Sequence, residues 1–103
     1  MPRSYSEEFL LDLQRADPTR LGVQLGRLCV EANLPAAYVA RALEISRMTI
    51  YKWFRGSGVR EDKRKTIEVF MDLVKQDMQK GVLPASTMFD AKRYIEEMVG
   101  ITI

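Results

Sequence analysis

Arg47, Tyr51 and Arg55 recur at four-residue intervals, and Met48 and Lys52 fall between them. On a helix these five side chains share one face. That face could do one kind of chemistry well. A guanidinium at its start can take two acceptors at once, as the edge of a guanine offers, and a methionine can touch a thymine methyl. Arg47 and Met48 are therefore the expected base readers. Tyr51 suits a base or a phosphate equally. Lys52 and Arg55, with Arg60, Lys63 and Arg64 beyond them, suit phosphate oxygens. Ser46 stands just before the run, where its hydroxyl can cap the helix.

The charge around these residues is concentrated. The 103-residue chain has a net charge of only +2. Between Arg41 and Lys65, however, eight basic residues face three acidic ones, a net of +5, while both flanking stretches are slightly acidic. Such a block fits the electrostatic footprint of a polyanion site, and on charge alone it fits a solvated basic surface equally well. Other chemistries are poorly provided for. There is no histidine, and Cys29 is the only cysteine. This removes the usual acid/base and triad machinery and any Cys/His zinc site. Cys29 lies in the apolar pattern Leu21, Leu25, Leu28 and reads as a packing thiol. No metal, cofactor or catalytic role is expected. No segment approaches a membrane span. The first eight residues lack the apolar stretch of a secretory signal. A cytoplasmic protein with no membrane partner is the expectation.

The elements that must position this face read as helices throughout. Ser4-x-x-Glu7 is a capping-box pattern followed by Phe9, Leu10 and Leu13, so residues 1–17 are expected to hold an N-terminal helix. Asp17-Pro18 suits a helix start, with Leu21, Leu25, Leu28 and Ala32 on the inner stripe and Asn33 ending it. Gly22 and Gly26 lie one turn apart and are expected to admit a neighbouring helix closely. Pro35 opens a short helix to about Leu43; Glu44-Ile45-Ser46 turn the chain; a second helix runs through Arg55; Gly56-Ser57-Gly58 break it. Val39, Leu43, Ile45, Ile50 and Trp53 are spaced to face inward, with small Ala40 at the crossing. Asp62 to Gln79 reads as a longer helix with Ile67, Phe70, Met71, Val74 and Met78 inward and Val69 and Leu73 on a second face. Ser86 or Thr87 can cap a last helix carrying Ala91, Tyr94, Ile95, Met98 and Val99. The tail Gly100-Ile101-Thr102-Ile103 is β-prone. The fold class is all-α, a compact bundle of five to six helices.

Leu34, Val39, Ala40, Leu43, Ile45, Ser46, Thr49, Ile50, Trp53 and Gly56 together resemble the helix-turn-helix pattern of the lambda-repressor and Cro-like (XRE-type) DNA-binding family. The likeness covers about Thr19 to Gln79. Three departures stand out: Pro35-Ala36 where the family usually has Ser-Gln, Glu44 at the turn glycine, and Phe54 at a frequently acidic position. The resemblance implies a helix-turn-helix domain over residues 18–80 that binds double-stranded DNA; beyond it, the apolar positions on the last two helices exceed what one small core needs, so residues 81–103 are expected to add a helix and tail for self-association. The implied function is a small dimeric transcriptional regulator of repressor type. A phage small terminase-like subunit, which recognises packaging DNA and forms an oligomeric ring, is the alternative.

Overall fold

In the computed structural model, which describes residues 5–100, the chain is all-helical. Six helices follow in order: α1 (Glu7–Arg15), α2 (Leu21–Ala32), α3 (Ala36–Ala42), α4 (Arg47–Phe54), α5 (Glu61–Gln79) and α6 (Met88–Val99). They pack around one apolar core that runs from Tyr5 through Leu25, Ile50, Phe54 and Ile67 to Ile95. No helix of the described residues is long and apolar enough to cross a membrane.

Two helix starts differ from the sequence reading. The cap of α1 is Ser6, whose hydroxyl accepts from the Phe9 N–H at 3.1 Å. Ser4, expected in that role, lies outside the described residues. Asp17 does not cap α2. Its carboxylate accepts from the N–H and hydroxyl of Thr19 at 2.9 and 2.7 Å, closing a tight Asx turn, and the helix begins only at Leu21.

The helix ends share one device. After α2, α3, α4 and α5 the chain steps into a left-handed residue, and the next N–H bonds back five residues. Asn33, Glu44, Gly56 and Gly81 occupy the left-handed positions. Three of these are residue types that tolerate that conformation, and Glu44 is not.

The C-terminal segment is less separate than residues 81–103 appear in sequence. Leu83, Ala85, Ala91 and Ile95 are buried in the common core. Ala85 donates its N–H to Ala32 at 2.9 Å and accepts from the buried Asn33 amide at 2.7 Å. The Tyr94 hydroxyl donates to Asp77 at 2.6 Å. One core thus spans the expected boundaries at residues 17 and 80, since each flanking segment turns part of its apolar face into it. Removing Pro84–Ile103 would open that core, so such a truncation would report on folding before association. The β-prone Ile101-Thr102-Ile103 lies outside the described residues.

Candidate nucleic-acid interface

The site is built on α4, an eight-residue helix held from behind and bare in front. Ser46 starts it as expected: its Oγ accepts from the Thr49 N–H at 3.0 Å and donates to the Thr49 hydroxyl at 2.9 Å. Gly56 ends it at φ +104°. Ile50, Trp53 and Phe54 recur at the i, i+3, i+4 spacing of a helix face, and all three are buried.

Gly22 of α2 meets this inner face backbone to backbone. A Cβ there would overlap the Trp53 carbonyl. Gly26, one turn on, faces the Phe54 ring and the Leu13 side chain; a Cβ would lie 3.0 Å from each. Both glycines do what their spacing suggested: they let α4 and α1 settle against α2. Trp53 belongs to the core, as expected. Phe54, read from sequence only as a departure, is the largest fully buried side chain. The Ile50–Trp53–Phe54 spacing was the signal that could have found it.

The outer arc carries Arg47, Met48, Lys52 and Arg55, all exposed. Met48 is the most exposed large apolar side chain described, at 70%. Arg47, Lys52 and Arg55 take part in no ion pair among the described residues. Burying a cation in a salt bridge would cost a nucleic-acid site its charge; here the charges face solvent.

Tyr51 is corrected by the structure. It was expected midway along a free Arg47–Tyr51–Arg55 stripe, but it is half-buried in an aromatic cluster. Its ring lies edge-on to Phe9 at 5.6 Å and to Phe54 at 5.8 Å, and Phe9 stacks on Tyr5 at 5.2 Å. The Tyr5 hydroxyl donates to the Leu34 carbonyl at 2.7 Å, and burial pushes its phenol pKa up. Helix α1 therefore flanks α4 on the Tyr51 side. Phe9, Asp12, Leu13 and Ala16 on that segment share a shallow cleft with Phe54 and Arg55. The Arg27 guanidinium secures the other end of α1 by donating to the Leu13 and Gln14 carbonyls at 3.4 and 3.2 Å. Sequence patterning gave no sign of this contact, because Phe9 stands more than forty residues before Tyr51 and Phe54.

The remaining cations divide. Arg60 precedes α5, exposed, 3.6 Å from an equally exposed Asp62; such a pair is worth little and yields readily to a phosphate. Lys63 is half-buried, and its Nζ donates to the Leu43 carbonyl at 3.3 Å. Cys29 is buried and its thiol pKa is raised by desolvation, which makes it unreactive. The described residues hold no group of His, Cys, Asp or Glu that could bind a metal ion.

Comparison of the chain with protein-family models, with curated proteins and with solved structures finds no match.

Proposed function

We propose that this protein binds double-stranded DNA by laying α4 in the major groove. One observation carries the reading: α4 buries Ile50, Trp53 and Phe54 while presenting Arg47, Met48, Lys52 and Arg55 to solvent, the three cations in no ion pair among the described residues. A single helix fits the roughly 12 Å width of that groove, and its N-terminal residues reach deepest. Arg47 and Met48 are thus the base readers. Lys52, Arg55 and Arg60 bear on phosphates, and Ser46 fixes the start of the helix. Tyr51, leaning on α1, serves mainly to set the helix angle.

One such helix reads only a few base pairs, so a sequence-specific regulator of this size works as a pair on two half-sites. Exposed Val69, Leu73, Val82 and Phe89 supply apolar surface for a second copy.

Selection of bound sequences from random duplex DNA tests the reading. A consensus with two-fold symmetry is expected. Six phosphate contacts per pair should lower affinity about 1,000-fold between 50 and 200 mM salt. A flat salt response would remove the proposal, since phosphate binding must release counterions.

A further inference from the structure

Lys63 occupies the third position of α5, the positive end of that helix's dipole, where a cation is disfavoured. Glu61 and Asp62 beside it suit the same turn. The lysine instead reaches a neighbouring helix at the end that favours a cation. Its Nζ donates to Leu43, the residue that closes α3. In that turn the Glu44 N–H bonds to Arg41 and the Ile45 N–H to Ala40, so the turn's own amides leave the Leu43 carbonyl to the ammonium group.

The connection has a consequence for α4. Leu43 lies just before α4, and Lys63 stands on the helix just after it, twenty residues along the chain. One bond therefore ties the two segments that enter and leave α4. The Gly22–Trp53 seam lies at the far end of the helix; the first turn, where Arg47 and Met48 project, is anchored by buried Ile50 and the Ser46 cap, and its direction follows the turn that precedes it.

Resting on the DNA-binding reading above, we infer that Lys63 is a positioning residue, not a phosphate contact: it fixes the turn before α4 and so the angle at which Arg47 and Met48 meet the bases.

The test compares Lys63→Met, which keeps the apolar stem and loses the donor, with Lys52→Met as a phosphate-contact reference. Amide hydrogen exchange is read in the free full-length proteins, and affinity for the selected duplex is read against salt. In Lys63→Met the hydrogen-bonded amides of Glu44, Ile45 and Thr49 should exchange about tenfold faster, the loss of one hydrogen bond to a charged donor. Affinity should fall about fivefold with the salt slope unchanged. Lys52→Met removes two phosphate contacts from the bound pair, so it should lower the slope by about two and leave exchange as it was. A slope lowered by about two in Lys63→Met overturns the inference, and so does unchanged exchange at the Glu44, Ile45 and Thr49 amides. If the unmodified protein binds no duplex at all, the DNA reading fails, while the exchange measurement still decides whether Lys63 holds the turn.

Discussion

The two faces of α4 are held to different standards. The inner face is set atom by atom: Trp53 and Phe54 are 5% and 1% exposed, and the Trp53 backbone rests on a glycine. The outer face presents Arg47, Met48, Lys52 and Arg55 to solvent. Interior packing leaves no room for a misplaced methyl, whereas exposed cations can change at little cost to folding. The division separates stability from recognition along one helix, and a substitution can be assigned to one task by which quantity it moves.

The sharpest way to break that comparison is Gly22→Ala. Alanine in a helix ordinarily gains ~1 kcal/mol over glycine. Here its Cβ would overlap main chain, which cannot swing aside as a side chain can. Overpacking of this kind costs about 1–3 kcal/mol or more and should outweigh the propensity gain. Thermal unfolding should show a net loss of about 2 kcal/mol. An unchanged or higher melting temperature would mean that α2 and α4 are not in backbone contact.

Arg47→Ala probes the opposite face and should leave stability within about 0.5 kcal/mol. Binding to the selected duplex should weaken by ~1–3 kcal/mol, with discrimination relaxed at one base position. Equal losses on all sequences would move Arg47 from base reader to backbone contact. A large loss of stability would erase the distinction between the faces.

How much of this could be read beforehand follows the same division. Helix number, the Ser46 cap, the Asn33 end and the small-residue role of Gly22 and Gly26 were legible, because caps and periodicity are local. Ser6 displaced Ser4, and Thr19 drew Asp17 away from α2, because several nearby hydroxyls and carboxylates compete for the same few N–H groups. The partners of Tyr51 and Lys63 went unread for a different reason. Each of these two residues is polar at one end and lies at a helical position that looks exposed, yet each is held by a partner twenty or more residues away. Long-range contacts of amphipathic side chains leave no period in the sequence. Phe54 was legible and overlooked, since its spacing from Ile50 already placed it inside.

The smallest effect concerns Glu44, in the turn that leads to the outer face. Its φ of +58° places a branched-off Cβ against the following carbonyl, at a cost of ~1–2 kcal/mol. Glu44→Gly removes that strain but loosens the unfolded chain, which takes back about 0.4–1 kcal/mol. The balance favours glycine, so chemical denaturation should show a gain of about 0.5–1 kcal/mol. The matching change at Asn33, the left-handed residue closing α2, should run the other way. Asparagine tolerates the conformation, and its amide bond to Ala85 would be lost from a buried site. Opposite signs at two turns of the same backbone geometry would show that Glu44 is retained against the preference of its own main chain. A loss of stability in Glu44→Gly would instead mean that the glutamate side chain supports the turn, and that the approach to α4 is held by more than Lys63 and the main-chain bonds.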